Sequence, residues 1–439
     1  MNDTIAAIST PLGEGSIAVL LMIGPRALLI ADGVFRGRVP LREATARLQY
    51  FGGVYDGDHK LDEVLMTVFR GPHSYTGEDV IEIAGHGGVL IARRLLELVL
   101  KSGARSAEPG EFTKRAYFAG KMDLTQAEAV MDLITAQTDI ALRSATEQLE
   151  GRLGQSIREL REKFLELLAH VEAWIDFPDE DIDPDSVDVL RTKLRHATTE
   201  MDGLLHTARL GRVLREGYRT VIYGSPNVGK SSLLNLLLGQ ERAIVSSRPG
   251  TTRDVIEEVI HLGGYPLRLI DTAGVRESDD DIEVEGINRT LKQVDRADLV
   301  LQLLDGSAER VPVNAGHLLV LNKSDLGIHP TWDGVDAVRI SCLNNQGLED
   351  LEVAILKKIT SGQVRERDCA VAINARHQSC LVEALEFGAA AERLLLANQP
   401  PELVAEELRG ALSWIGQVVG EVDNEEVLGK IFGTFCIGK

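Results

Sequence analysis

The sequence predicts a multidomain protein of mixed α/β and α class: an N-terminal α+β domain, a helical domain, and an α/β domain inserted into the helical one. Three observations carry this. Short β-rich runs separated by glycine turns occupy the first part of the chain, helical periodicity sets in at Asp123 and returns after about Val364, and between the two helical stretches strands alternate with helices. Alternation of that kind predicts a parallel sheet with helices on both faces.

The 439 residues exceed the roughly 250–300 that one core accommodates, so two or three domains are expected. We place them at 1–120, at 121–215 together with 363–439, and at 216–362. In the first, Ile17 to Ile23, Glu63 to Phe69 and Asp79 to Ala84 read as strands and Gly88 to Lys101 as a helix. Thr125 with Glu128 three residues on forms a capping box, after which helical periodicity runs through LITAQTDIALRSATEQL and IRELREKFLELLAHVEAWI. FPDEDIDPD has the outline of a calcium loop, but Pro184 stands where the turn glycine is needed and Leu190 where the bidentate Glu is needed, leaving a solvated acidic turn. Another helix ends near Arg215. The strands YRTVIYG, PLRLIDTAG, ADLVLQLLDG and HLLVLNKSD then build the inserted sheet.

Composition narrows the function. Hydrophobic content of 44% with 26% charged residues is that of a globular chain. No apolar run reaches the ~18 residues of a membrane span, and the start lacks a secretory pattern, so the expected location is cytoplasmic. Four cysteines without a C-x-x-C pair argue against zinc and against a disulfide framework. The net charge of −20 opposes indiscriminate binding to phosphate backbones, so an RNA substrate would need a local patch or a partner.

The strongest local signal is GSPNVGKS, Gly224 to Ser231, between an apolar strand and the helical run SSLLNLLLG. Glycines let backbone N–H groups close around phosphates, Lys230 neutralises the outer ones, and the Ser231 hydroxyl suits Mg²⁺. PGTTRD offers Thr252 as a second hydroxyl for the metal. Asp271 in DTAG ends a strand within reach of that metal through water, and the Gly274 backbone senses the terminal phosphate. In NKSD, Asp325 accepts two hydrogen bonds from guanine, which adenine does not offer, and Ser341-Cys342-Leu343 fits the loop that reads the guanine oxygen. The nucleotide is therefore GTP. Val275 stands where a water-orienting Gln is expected, so a carboxylate of VRESDDDIEVEG is needed instead. The Asn227 amide oxygen suits a monovalent cation beside the phosphates, stabilising charge as an arginine finger does.

With these motifs, GEDVIEIAGHGG, PGEFTKRAYFAGKMDLTQAEA, DFPDEDID and the terminal FCIGK, the whole chain resembles the MnmE (TrmE) family of tRNA-modification GTPases. The resemblance implies an N-terminal folate-binding-like dimerisation domain, a helical domain and an inserted Ras-like P-loop G domain. It implies nucleotide contacts from Asn227, Val228, Gly229, Lys230, Ser231 and Ser232, from Ser246, Ser247, Arg248, Pro249, Gly250 and Thr251, from Asp271, Thr272, Ala273 and Gly274, and from Asn322, Lys323, Asp325, Ser341, Cys342 and Leu343. Potassium would be held by Asn227, Ser246, the Arg248 backbone and Thr251, and the water-orienting glutamate falls on Glu283. The family works as a homodimer whose G domains pair on GTP. Its partner is MnmG, a flavoprotein using FAD and NADH, in a heterotetramer-like complex that adds an aminomethyl or carboxymethylaminomethyl group to carbon 5 of the tRNA wobble uridine. The one-carbon unit comes from a tetrahydrofolate derivative, whose site carries over to Glu82, Lys121 and Lys439, while the family's arginine falls on Leu21 in VLLMIG.

Two other readings compete. A ribosome-assembly GTPase switch would share the G motifs without RNA chemistry. A lipid-anchored signalling GTPase rests on the box-like tail alone, but Lys439 is not an accepted last residue of a prenylation box and no polybasic run precedes Cys436. Cys436 is left as either a packed thiol or a group facing the uridine, and His86 in GHGG as structural or functional.

Overall fold

The computed structural model describes residues 3–176, 185–240, 258–270, 293–360, 372–421 and 425–439. By packing, the chain divides into two compact units: Met1–Met131 with Gly416–Lys439, and Asp132–Ile415.

The first unit is built on a seven-stranded sheet of β1 (Ile5–Ile8), β2 (Ile17–Ile23), β3 (Phe35–Gly37), β4 (Gln49–Asp56), β5 (His59–Phe69), β6 (Val80–His86) and β7 (Arg105–Ser106), in the order β3-β4-β5-β6-β2-β1-β7. All neighbours are antiparallel except β1 and β7. Strand period sorts the side chains. Ala6, Leu20, Met22, Val64, Met66, Val68, Ile81 and Ile83 form one face and pack against α1 (Ala27–Val34) and α2 (Val89–Lys101). Ile5, Ala7, Ile23 and Val80 face the other way and meet Phe112 of α3 (Glu111–Phe118). Each Val, Leu, Ile or Met side chain of this set withdrawn from water contributes about 1.5–3 kcal/mol. The strands and the helix read from the sequence here are all present, with Gly88 as the residue before α2.

The terminal segment packs into this same unit, whereas the sequence reading grouped 363–439 with the helices. Phe432 and Phe435 are buried, the Phe432 ring stands 6.5 Å from that of Tyr117, and the Tyr117 hydroxyl donates to Gly420 O at 2.6 Å. Beyond the helix Glu425–Gly433, Ile437 bridges Pro109, and the Ser9 hydroxyl donates to Gly438 O at 3.2 Å. Aromatic burial near the end, invisible as periodicity, draws the tail onto α3.

In the second unit, α5 (Asp139–Leu149), α6 (Arg152–Asp176), α7 (Asp185–His206) and α8 (Ala208–Glu216) precede the inserted sheet, and the helix Ala375–Leu396 follows it. Helices from the two flanks pack together: a Cβ on Gly388 would lie 3.0 Å from Thr198 Cγ2 and 3.5 Å from the Phe164 ring. The sheet has the order β13-β12-β11-β8-β10-β9, with β8 (Tyr218–Tyr223), β9 (Glu258–Leu262), β10 (Tyr265–Leu269), β11 (Leu299–Asp305), β12 (Leu318–Asn322) and β13 (Val338–Arg339). The four expected strands are parallel to one another; β9, which the sequence reading passed over, is antiparallel to β10 through the tight Gly263-Gly264 turn. Leu301, Leu303 and Val320 pack on one face against Leu233 and Leu237 of α9 (Lys230–Gln240) and Leu351 and Ile355 of the helix Leu348–Thr360. Leu304, Leu319 and Leu321 on the other face surround Trp332.

Two local expectations need correction. The box that opens α4 (Leu124–Thr135) is Asp123 with Gln126, not Thr125 with Glu128: the Gln126 amide donates to Asp123 Oδ1 and the Asp123 amide to Gln126 Oε1, both at 3.0 Å. Thr125, fully buried, lies inside the helix and donates its hydroxyl to the same Asp123 oxygen. The periodic run after α4 is also interrupted, because the Thr138 hydroxyl accepts from Ala141 N at 3.2 Å and starts α5 afresh. The acidic turn 177–184 lies outside the described residues.

Candidate functional site

The phosphate loop leaves β8 at Gly224 and enters α9 at Lys230. Gly224 passes so close to β11 that a Cβ would sit 2.2 Å from Leu303 O. Asn227 (φ 62°) and Gly229 (φ 102°) are in the left-handed region, where the chain turns successive N–H groups toward one point and forms a nest suited to anionic oxygens. Lys230 lies over this loop, donating to the carbonyls of Gly224 and Ser225, each at 2.9 Å. Burial lowers its pKa from the usual lysine value, so its charge is poorly solvated where phosphate oxygens would meet it. Ser231 and Ser232 occupy the first turn of α9.

The guanine side is assembled by Asn322, 4% exposed at the end of β12. Its Nδ2 donates to Val228 O at 2.8 Å and its Oδ1 accepts from Cys342 N at 3.0 Å, so one side chain ties the phosphate loop to the base-reading loop. Gly229 makes room for it: a Cβ there would lie 2.3 Å from Asn322 Nδ2. Lys323 follows in the left-handed region and pairs with Asp305 at 2.7 Å. Burial raises the Asp305 pKa, but hydrogen bonds from Lys323 and Ser307 outweigh it and hold the carboxyl below its ordinary value. Ser341, fully buried, donates its hydroxyl to Asp325 Oδ1 at 2.5 Å. That bond fixes the carboxylate in orientation. Burial pushes the Cys342 thiol up to about 11, partly offset by Asn322, so it stays neutral. Leu343 is 82% exposed, consistent with a contribution through its backbone alone.

The structure thus brings together Asn227, Val228, Gly229, Lys230, Ser231, Ser232, Asn322, Lys323, Asp325, Ser341, Cys342 and Leu343. Ser246 to Thr252, Asp271 to Gly274, Val275 and Glu283 lie outside the described residues. Sequence reasoning named Asn322 only as part of NKSD and missed its bridging; the signal was a polar side chain ending the apolar run LLVLN.

The second set of residues falls in the N-terminal unit. Leu21 and Glu82 are direct cross-strand partners on β2 and β6, with Thr67 on the other side of Glu82. The strand neighbours of this carboxylate therefore include no cation. The Lys121 ammonium donates to Pro72 O at 2.6 Å, and Lys439 accepts from Phe112 N at 3.2 Å through its carbonyl. Cys436 is exposed, which removes the packed-thiol reading; its buried neighbour is Phe435. His86 pairs through Nδ1 with Asp62 Oδ1 at 2.6 Å, and this hydrogen bond raises the histidine pKa. Asp62 reaches it over Gly85, whose Cβ would stand 2.6 Å from Asp62 Oδ2. The glycine of GHGG before which His86 stands, Gly87, would with a Cβ come 2.1 Å from Gly15 O, so Gly85 makes room for a side chain and Gly87 for a neighbouring backbone.

No helix among the described residues is long and apolar enough to cross a membrane. Residues 4–121 match the family described as GTP-binding protein TrmE N-terminus, and residues 124–436 the MnmE helical domain. The chain is 50% identical to the tRNA modification GTPase MnmE of Akkermansia muciniphila over 448 residues, 99% of each protein. It is 43% identical to that of Lactococcus lactis subsp. cremoris over 449 residues, 100% of this chain and 98% of the relative. Among solved structures, the FeoB G domain from Methanococcus jannaschii aligns at 29% identity and a TM-score of 0.24, over 33% of this chain and 98% of that one. With its motifs in order and this identity along its whole length, the chain belongs to the MnmE family of tRNA modification GTPases.

Proposed function

We propose that this chain hydrolyses GTP in the service of tRNA modification, stimulated by potassium, and acts with an MnmG-like flavoprotein to install an aminomethyl or carboxymethylaminomethyl group at carbon 5 of the wobble uridine. The observation that carries the guanine reading is the Asn322 bridge: phosphate nest and base-reading loop are held in one frame, with Asp325 oriented by Ser341 to accept from the guanine edge. Phosphoryl transfer needs positioning and charge stabilisation more than covalent help. The nest and Lys230 supply both on the phosphate side. Magnesium, held by Ser231 and Thr252 with Asp271 through water, would neutralise charge on the phosphates; hydroxyl and carboxylate oxygens are the donors such a hard cation takes. Potassium beside Asn227, with Ser246, Arg248 and Thr251, would add positive charge, and Glu283 would orient water.

In this reading the working form is a homodimer, and tetrahydrofolate contributes the one-carbon unit at Glu82, Lys121 and Lys439. Glu82 supplies the carboxylate that an aminopyrimidine ring recognises, and its cross-strand partner Leu21 brings no charge to the pterin or its tail. The binding energy falls to the lysines. FAD and NADH would act on the partner.

Mass analysis of tRNA nucleosides from a deletion strain tests the output: loss of the wobble modification is expected, and an unchanged nucleoside would leave the ribosome-assembly switch as the better account. For the mechanism, hydrolysis should run faster in potassium than in sodium, and Glu283→Ala should keep GTP binding while losing most turnover.

A further inference from the structure

The neck of the inserted domain is held by a polar cluster that nucleotide chemistry leaves unused. The chain enters through α8 and β8, which run on to the phosphate loop, and on the return side Ala372 precedes the helix Ala375–Leu396. Gln148 on α5, 2% exposed, touches both passages. Its Nε2 donates to Ala372 O at 2.7 Å, and its Oε1 accepts from Arg215 Nη2 at 3.3 Å. Arg215 Nε donates to Asp132 Oδ2 at 2.7 Å, while its buried Nη1 has no partner among the described residues. A void of about 20 Å³ adjoins these groups. The entry side is thus held by a longer bond and an under-used guanidinium, the exit side by a short one.

A second contact reaches the same helix. The β9–β10 hairpin joins the segment containing PGTTRD to the one beginning at Asp271. Its turn rests on α5: a Cβ on Gly264 would lie 2.9 Å from Ile140 Cδ1, and Tyr265 and Ile140 pack against Ala141, Leu210 and Leu214. On its other side α8 is fastened to the sheet, with Arg212 bonded to Asp298 at 2.5 Å and Arg209 to the Tyr218 hydroxyl at 2.6 Å. One helix therefore meets the entry, the exit and the hairpin between the two phosphate-sensing segments.

We propose that α5 is the receiving element for the nucleotide state: Ile140 registers displacement of the hairpin, and Gln148, with Arg215 and Asp132, clamps the neck so that the displacement passes into the helical domain. Close-packed contacts transmit such shifts because interiors compress little. These are positioning residues that touch no nucleotide, and their role rests on the GTP reading above.

Hydrogen exchange on the full-length protein tests it, comparing GDP with GDP plus aluminium fluoride in potassium. In the wild type, exchange within residues 139–149 should slow by about five-fold or more in the second state, a coupling of ordinary size. Gln148→Met and, as a variant that leaves the polar cluster intact, Ile140→Ala should abolish that difference while residues 224–240 remain protected and GTP turnover stays within about two-fold. A wild-type α5 indifferent to nucleotide overturns the proposal, as does a response retained in either variant. A response lost together with turnover overturns it too, since the residues would then be supporting the site. Absence of any nucleotide protection at 224–240 in the wild type would reject the GTP reading itself and this proposal with it.

Discussion

In the inserted domain the functional groups follow one another along the chain, from Gly224 to Ser231 and from Asn322 to Asp325, and many are backbone amides held in place by a single buried side chain. In the N-terminal unit, Glu82, Leu21, Lys121 and Lys439 come from two strands, the connection after α3 and the terminal segment, and three of them would act by side-chain charge. A site made of backbone depends on conformation, so its glycines and its internal ties are constrained together. A site made of scattered side chains loses or gains a contact by one substitution while the sheet beneath stays as it is. Leu21 would illustrate this: it fills its place opposite Glu82 within the strand pattern and carries no charge.

The comparison is broken most severely at Gly229. Gly229→Ala places a Cβ 2.3 Å from Asn322 Nδ2 at φ 102°. Strain of about 1–3 kcal/mol is expected, with displacement of the bridge lowering GDP affinity by roughly 10²-fold. Fluorescent-nucleotide titration and chemical denaturation measure the two. Asp325→Asn comes next. Replacing an acceptor by an amide should cost about 1.5–3 kcal/mol in guanine nucleotide affinity and shift preference toward a xanthine nucleotide, read by competition between GTP and XTP. Loss of affinity for both alike would show that Asp325 holds up the loop instead of reading the base.

In the N-terminal unit the expected effects are smaller. Leu21→Arg should pair with Glu82 across the strands, adding about 0.2–1 kcal/mol as cross-strand ion pairs do, and raise the affinity for a formyl-tetrahydrofolate a few-fold in calorimetric titration. No gain would mean that position 21 does not meet the pterin or its tail. Cys436→Ser, at an exposed thiol, should change stability by no more than about 0.5 kcal/mol. If tRNA modification falls nonetheless, the thiol acts in chemistry; unchanged modification removes it from the site.

Much of this was legible beforehand because the information is local. The strands Ile17–Ile23 and Val80–His86 alternate or run apolar, Gly88 announces α2, and a phosphate loop between strand and helix is a contiguous pattern whose chemistry depends on neighbours a few residues apart. The misses share a cause. The cap of α4 shifted to Asp123 because four competing polar residues lie within six positions, and the burial of Thr125 decides between the two boxes. Strand β9 was passed over because EVIHL is short and gains its identity from pairing with β10.

By itself the sequence determined the family, the order of the nucleotide motifs and the identity of the base, since spacing along the chain specifies which amides, hydroxyls and carboxylates converge on a phosphate or a guanine edge. Only the tertiary structure decided that Asn322 locks the two halves of that site, that Gln148 touches both ends of the insertion, and that Leu21 stands opposite Glu82. These contacts join residues tens to hundreds of positions apart. Their partners are selected by which faces are buried together and by strand register, and neither is written in any short stretch of chain.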